Sequence, residues 1–212
     1  MNQAEKAAAK AKALEFDHIA SEVFAPIYPV IAARLLELGG IYRGRCVEIG
    51  SGGGHLALAA AGLFTGEIIL LDSNPYALEL AEERIAGKDR GRVSTLCADV
   101  HDMPIPAGSV DLVISRGAMW FWDKQRSLAE IWRILAPAGV AIIGGGYGSP
   151  AMRAEIYRVM SERNGDDFEA RQKKNTDDNS PEDYAPVAMA MGIGDVREVH
   201  DDTGDWLVLG PK

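Results

Sequence analysis

Three acidic side chains stand at or near the ends of three apolar runs in the first half of the chain, at Glu48, Asp72 and Asp99. The first of them precedes a glycine-rich loop at 50–54, in which glycines at 50, 52 and 54 let backbone amides approach a ligand closely. In a dinucleotide-binding loop these amides face a pyrophosphate, and Glu48 would place a like charge beside it. An acid at this position instead favours a ligand with a cationic group, such as an amino-acid ammonium.

Strand-like and helical segments alternate through the residues that surround these acids. Apolar runs predict five strands, at 46–49, 67–72, 93–97, 110–115 and 140–143. Helical patterns between them require parallel pairing with right-handed crossovers. Two last strands, at 195–199 and 206–209, are joined by a short turn and predict a hairpin. The predicted fold class is therefore α/β: a Rossmann-like, doubly wound, mostly parallel seven-stranded sheet with an antiparallel C-terminal hairpin and helices on both faces.

The 212 residues are most simply one domain. Within it we expect an N-terminal helical cap at 1–40, a cofactor-binding core at 41–146 and a C-terminal part at 147–212. The C-terminal part contains a polar segment at about 161–185, rich in Asp, Asn and Lys. This composition predicts an insertion or mobile segment rather than a core element, and a lid over the substrate is one hypothesis for it.

Composition limits the classes of partner. The net charge of −9 argues against a broad nucleic-acid surface.

No run of 18 apolar residues occurs, and the N-terminus has no hydrophobic signal core, so we expect a cytoplasmic protein without stable membrane association. Cys46 and Cys97 are predicted to be buried free thiols, and no metal site is expected, because no Cys or His lies at ligand spacing from them. The sequence does not specify an oligomeric state.

The three acids are expected to lie near one another, because ligands of open α/β sheets bind outside the carboxyl ends of the strands. Asp72, after the second strand, can accept both hydroxyls of a ribose, and Asp99, after the third, can accept an adenine amine. Strand ends also carry Asp as caps or turn formers. Together with Glu48 and the glycine loop, however, the set favours an adenosine with a cationic tail, which indicates S-adenosylmethionine rather than NAD.

These segments resemble the motifs of one family. Residues 47–54 resemble the first motif of the class I S-adenosylmethionine-dependent methyltransferases, and 70–75 resemble their ribose motif. The segments 98–104 and 110–113 are similar to their adenine segment and fourth strand, and 131–139 to the motif before the fifth strand. The branch resembled is the small-molecule type that includes quinone and sterol methylating enzymes. The acidic or Asn-Pro-Pro-Tyr motif of nucleic-acid and protein amine methylation is missing after the fourth strand.

The resemblance implies a site for the cofactor and its product, S-adenosylhomocysteine. Glu48 would bind the ammonium, Asp72 the ribose and Asp99 the adenine amine. The full implied set of cofactor-binding residues is Glu48, Gly50, Ser51, Gly52, Asp72, Ser73, Asp99, Val100 and Ser115.

The acceptor is expected to be a small molecule, but the sequence does not identify it. Methyl transfer is an in-line displacement that depends on positioning, and a general base is needed only for a weakly acidic acceptor. No catalytic residue is assigned; the candidates are His18, Arg116 and Tyr147, and the candidate substrate residues are Tyr28, Arg116 and Trp120. Three of these residues have a structural alternative: His18 as a surface or capping residue, Arg116 in an ion pair, and Trp120 in core or lid packing.

Two other functions remain open at this stage. A nicotinamide-dependent dehydrogenase is disfavoured by Glu48 and by the glycine spacing, since the dinucleotide fingerprint places its third glycine or alanine one residue later. A non-catalytic S-adenosylmethionine-binding sensor or partner subunit is compatible with the lack of an obvious base.

Overall fold

A computed structural model describes residues 2–85, 87, 89–165, 167–176 and 179–211, without the side chain of residue 175. Its sheet has seven strands in the order β3-β2-β1-β4-β5-β7-β6. The first five pair in parallel, whereas β7 is antiparallel to both β5 and β6. The strands are β1 Arg43–Ile49, β2 Thr65–Asp72, β3 Val93–Cys97, β4 Val110–Arg116, β5 Leu135–Gly146, β6 Val196–Asp201 and β7 Gly204–Leu209. The predicted fold class is confirmed.

Helices cover both faces of this sheet because alternate strand residues point into two apolar layers. In β1, Cys46 packs with apolar side chains of α2, α3 and α4, whereas Val47 and Ile49 pack with those of α5 and α8. The helices are α1 Gln3–Glu22, α2 Ile27–Gly39, α3 His55–Ala60, α4 Pro75–Arg84, α5 Lys124–Ile134, α6 Pro150–Asn164, α7 Phe168–Thr176 and α8 Pro181–Ala190.

The N-terminal helices α1 and α2 are separated at Pro26 and bent by 88° at the break. None of the described helices is by itself long and apolar enough to cross a membrane, although this bent pair meets the length and composition criteria when its two helices are taken together.

Part of the segment 161–185 packs into the core, which differs from the expectation that it is not a core element. Most of its described residues are helical. It has few apolar side chains, and two of them, Phe168 and Tyr184, are buried. The Tyr184 hydroxyl donates a 2.7 Å hydrogen bond to the carbonyl of Met119. Its polar residues lie mainly on exposed helix faces, so its polar composition did not indicate that the segment is helical and partly buried. Residues 166, 177 and 178 lie outside the described residues, and closure over a substrate stays a prediction.

The expectation that both cysteines are buried is wrong for one of them. Cys46 is buried in β1, but Cys97 is exposed at the end of β3. The reason is topological, because β3 is an edge strand of the sheet and the apolar run alone does not reveal that position.

Glycines at the end of β5 permit its close pairing with β7. A Cβ at Gly146 would overlap the carbonyl oxygen of Thr203 and the Cα of Gly204. We expect Gly146→Ala to lower the free energy of unfolding by about 1–3 kcal/mol, because backbone atoms must move apart. Gly194→Ala is the matched control, since a Cβ there meets no atom within 4 Å, and its effect should stay within about 0.5 kcal/mol. Chemical denaturation measures both, and equal stabilities would contradict the packing described.

Candidate functional site

The glycine loop begins where β1 ends and is bound to the neighbouring strand. The amides of Gly50 and Ser51 donate hydrogen bonds of 2.8 and 3.0 Å to the carbonyl of Leu71 at the end of β2. Gly50 has a φ of 71°, a left-handed conformation that glycine adopts without steric cost. A Cβ at Gly52 would meet no atom within 4 Å, so the space beside this part of the loop is open.

Glu48 lies beneath the loop and is 4% exposed. Its carboxyl accepts a 2.9 Å hydrogen bond from the amide of Ala57 in the first turn of α3. Burial raises the pKa of this carboxyl to about 8; the bond from Ala57 opposes the shift, and repulsion from Asp72 adds to it. The group is therefore mainly protonated at neutral pH. A neighbouring ammonium would favour its ionised form.

Asp72 braces the loop from the end of β2. One carboxylate oxygen accepts a 2.8 Å hydrogen bond from the amide of Gly52, and the other accepts one of 2.8 Å from the amide of Asn74. Each oxygen retains a second lone pair with which it can accept a ligand hydroxyl. Ser73, the residue between Asp72 and Asn74 in the chain, is exposed.

Asp99 lies beyond the end of β3 with 63% of its side chain exposed. Its carboxylate accepts a hydrogen bond from the amide of His101, which is the main reason that its pKa is lowered, and it lies 2.6 Å from Nδ1 of the same residue. Nε2 of His101 accepts from the amide of Asp123 at 3.0 Å, which assigns the ring proton to Nδ1. His101 therefore ties Asp99 to the start of α5, and the adjacent Val100 is buried.

Two serines predicted to bind the cofactor have different environments. Ser115 is fully buried, and its hydroxyl donates a 2.7 Å hydrogen bond to the carbonyl of Ile49. Its side chain is thus engaged in joining β4 to the end of β1. Ser51 is also buried, but its hydroxyl has no hydrogen-bond partner among the described residues. Such a group carries a desolvation cost that a ligand can remove.

Helix α1 lies beside the glycine loop and is held there by contacts that the sequence motifs did not indicate. Asp17 is hydrogen-bonded to Nε2 of His55 at 3.1 Å and forms an ion pair with Arg84. Arg84 also donates a 3.0 Å hydrogen bond to the carbonyl of Gly53. The candidate base His18 does not join this group, because it is 52% exposed and pairs with Glu22 along the helix.

Arg116 lies at the end of β4 within a cluster of aromatic rings. Its Nε donates a 2.9 Å hydrogen bond to the carbonyl of Gly146. The guanidinium carbon lies 5.0, 5.5 and 6.0 Å from the ring centroids of Phe24, Tyr147 and Tyr28. Of the predicted acceptor residues, the structure therefore brings Arg116, Tyr28 and Tyr147 together. Phe24 was missed, since an isolated aromatic residue in a broken helix carries no specific signal.

The two tyrosines are not suited to act as bases at neutral pH. Burial raises the pKa of Tyr28, and the positive charge of Arg116 only partly opposes this effect. Burial likewise raises the pKa of Tyr147, with a further contribution from Tyr157. Both hydroxyls remain protonated and can serve as hydrogen-bond donors.

A cavity of about 650 Å³ opens beside this cluster, between α6, α7 and the turn that joins β6 to β7. Its size is within the usual range for small-molecule sites. Trp120 and Tyr147 line it, and the Trp120 ring lies against Gly145. The cavity thus connects the candidate substrate residue Trp120 with the aromatic cluster around Arg116.

Comparisons with known proteins agree with this geometry. A family model described as a methyltransferase domain matches residues 47–143. A crystal structure from Methanococcus maripaludis, assigned in its description to the S-adenosylmethionine-dependent methyltransferases, is 34% identical; the match covers 95% of this chain and 92% of that one, with a TM-score of 0.88. The chain therefore belongs to the class I S-adenosylmethionine-dependent methyltransferases, as its motifs predicted. S-adenosylmethionine is the cofactor of this family.

Curated relatives share only part of their length with this chain. A rice 2-methyl-6-phytyl-1,4-hydroquinone methyltransferase is 35% identical over 103 residues, which are 48% of this chain and 29% of the relative. A ubiquinone/menaquinone biosynthesis C-methyltransferase from Ectopseudomonas mendocina is 31% identical over 113 residues, 51% of this chain and 44% of the relative. The chain thus spans less than half the length of either enzyme.

The residues around the glycine loop fit the cofactor of the family. The unpartnered Ser51 hydroxyl and the open space at Gly52 lie on the loop itself. Glu48 and Asp72 supply carboxyl groups suited to an ammonium and a ribose.

Proposed function

We propose that this protein transfers a methyl group from S-adenosylmethionine to a small-molecule acceptor, releasing S-adenosylhomocysteine. The observation that carries the proposal is the placement of Glu48 and Asp72 around a loop whose buried Ser51 hydroxyl has no partner among the described residues. When bound, the cofactor would supply an electrophilic methyl carbon, to which an electron pair of the acceptor would bond as the carbon–sulfur electron pair returned to sulfur.

In this proposal the cofactor-binding residues are those that the family motifs indicated. Glu48 binds the ammonium, and Asp72 holds the ribose while it braces Gly52. Asp99 and the backbone of Val100 contact the adenine. Ser115 acts through its position at the end of β4, because its hydroxyl is already bonded to Ile49. The helices in 1–40 form a cap on the core at 41–146, with Asp17 and Arg84 as the contacts that close it.

The chain's contribution to the reaction is positioning and exclusion of water. The acceptor enters through the cavity beside Trp120, and Tyr28 and Tyr147 orient it by hydrogen bonding. Because neither phenol is a base at neutral pH and His18 lies outside the cluster, the proposal favours an acceptor whose nucleophilic atom is already unprotonated. The names of the relatives make quinone-type aromatic compounds the first acceptor class to test.

A transfer assay with methyl-labelled S-adenosylmethionine tests this proposal. The purified protein is incubated with aqueous and lipid fractions of a cell extract and with quinone-type compounds. We expect label in at least one small molecule, and much less with Asp72→Ala. Binding of S-adenosylmethionine without transfer to any fraction would overturn the proposal and favour a non-catalytic sensor.

A further inference from the structure

The Arg116 guanidinium differs from the comparable half-buried arginines of this chain. Arg34, Arg84 and Arg133 pair with Asp201, Asp17 and Glu130 respectively. Among the residues that the structure describes, Arg116 forms no ion pair. Its Nε is bonded to a carbonyl and its faces lie near three aromatic rings. Cation–π contacts offset only part of the cost of removing a cation from water, so an anion at this position would be strongly favoured.

We propose that Arg116 binds a carboxylate of the methyl acceptor, so that the substrate is an anionic, ring-containing or otherwise apolar small molecule. This inference rests on the proposed function, since it assigns the anion to the acceptor. The planar guanidinium can donate two parallel hydrogen bonds to a carboxylate, which would determine both the position and the orientation of the acceptor.

The location of Arg116 relates this anion to both the cofactor and the cavity. In the β1–β4 pairing Glu48 is level with Ile114, and a Cβ at Gly50 would meet the Cβ of Ala118, so Arg116, which lies between Ile114 and Ala118 in the chain, is near the start of the glycine loop. Gly146, which accepts the hydrogen bond from Arg116, and Tyr147, which packs beside it, both line the 650 Å³ cavity. Arg116 itself is not one of the residues that line the cavity, so the proposed acceptor reaches its guanidinium at the end of the cavity that Gly146 and Tyr147 form.

The charges near the cluster favour a carboxylate over a phosphate. Tyr28, which packs against Arg116, is also close enough to Asp17 for this acid to add to the effect of burial in raising its pKa, and Asp202 and Asp205 line the cavity. A single positive charge with acidic groups nearby suits a monoanion better than a dianion. The rings of Phe24, Tyr147 and Trp120 provide apolar contacts for the rest of the molecule.

Calorimetry with simple probes tests the assignment without knowledge of the natural acceptor. Benzoate, its uncharged analogue benzamide, and inorganic phosphate are titrated into the protein, both free and saturated with S-adenosylhomocysteine. We expect benzoate to bind at least tenfold more tightly than benzamide and phosphate. Equal affinities of the unmodified protein for benzoate and benzamide would by themselves overturn the proposal. Tighter binding of phosphate than of benzoate would overturn the carboxylate assignment.

Variants then locate the contact. Arg116→Gln should weaken benzoate binding at least tenfold, whereas Arg116→Lys should retain part of it. Arg45→Gln is the matched control, because Arg45 lies near the start of β1 and pairs with Glu67, and it should bind benzoate normally. Benzoate binding unchanged in Arg116→Gln would overturn the proposal.

The affinity for S-adenosylhomocysteine is a separate control. It should change by less than twofold in Arg116→Gln; a tenfold loss would assign the contact to the cofactor's own carboxylate and overturn the acceptor assignment. Failure of the unmodified protein to bind S-adenosylhomocysteine would instead contradict the proposed function. The titration of benzoate into the protein without S-adenosylhomocysteine tests the carboxylate assignment independently of that result.

Discussion

Asp72→Ala should weaken the binding of S-adenosylhomocysteine by about 5- to 150-fold, equivalent to about 1–3 kcal/mol. Two effects combine in this substitution. The ribose loses its carboxylate acceptor, and the amides of Gly52 and Asn74 lose the partner that holds the loop against β2. The loop is therefore less well ordered before the ligand arrives, which adds to the loss of direct contacts.

Calorimetric titration measures this change, and Glu79→Ala is a suitable control because it removes an exposed carboxylate from α4. The control should bind normally. Asp72→Asn should lie between the alanine variant and the unmodified protein, since its single carbonyl oxygen still accepts a hydrogen bond. Equal affinities in Asp72→Ala and the unmodified protein would remove Asp72 from the cofactor site.

Binding of S-adenosylmethionine at pH 6.5 should release close to one proton. The buried Glu48 carboxyl, with a pKa of about 8, is protonated in the free protein at this pH. An ammonium placed beside it lowers that pKa, and the proton leaves as the ion pair forms. Above about pH 9 the effect should reverse, because Glu48 is already ionised while the free ligand's α-amino group, with a pKa of about 7.7–8.0, must take up a proton.

Calorimetry in two buffers with different ionisation enthalpies gives the number of protons released. Glu48→Gln should abolish the release at pH 6.5 and weaken binding, because the amide has no charge to offer the ammonium. Identical heats in the two buffers for the unmodified protein would show that Glu48 does not ionise when the ligand binds.

The same pKa has a consequence for stability without ligand. Because the pKa of Glu48 is higher in the folded state than its ordinary value of 4.5, folding favours the protonated form. The contribution to stability is complete below about pH 4.5 and is lost as the pH rises through about 8. Its size is on the order of a few kcal/mol. Unfolding free energies measured between pH 5 and 8 should fall more steeply for the unmodified protein than for Glu48→Gln, and parallel curves would contradict the shift.

Much of the sheet and the cofactor loop could be predicted because their signals are local. Each parallel strand is a short apolar run, and the acids Glu48, Asp72 and Asp99 lie at strand ends in the same stretches of sequence. The contacts of α1 could not be predicted in this way, since Asp17 meets Arg84 across 67 positions and nothing near Asp17 indicates a partner. The exposure of Cys97 depends on strand order, which an apolar run does not encode.

The acceptor side was predicted less completely than the cofactor side. Arg116 and Tyr147 were proposed from their positions after the fourth and fifth strands, and Tyr28 from a broken N-terminal helix that could fold over the ligand; the three do meet. Phe24 was not singled out and the cavity wall from α6 was missed, because they depend on the packing of helices, whereas α7 lies within the segment 161–185 for which a lid was one hypothesis. Ser115 shows the opposite case: its motif position suggests a ligand contact, while its hydroxyl bonds to Ile49.

Direct titration of the purified protein with S-adenosylmethionine, S-adenosylhomocysteine and NADH tests the central claim, that the loop at 50–54 and the acids around it form a site for an adenosine with an amino-acid tail. The account predicts saturable binding of both sulfur ligands and none of NADH. Binding of NADH without binding of either sulfur ligand would contradict it.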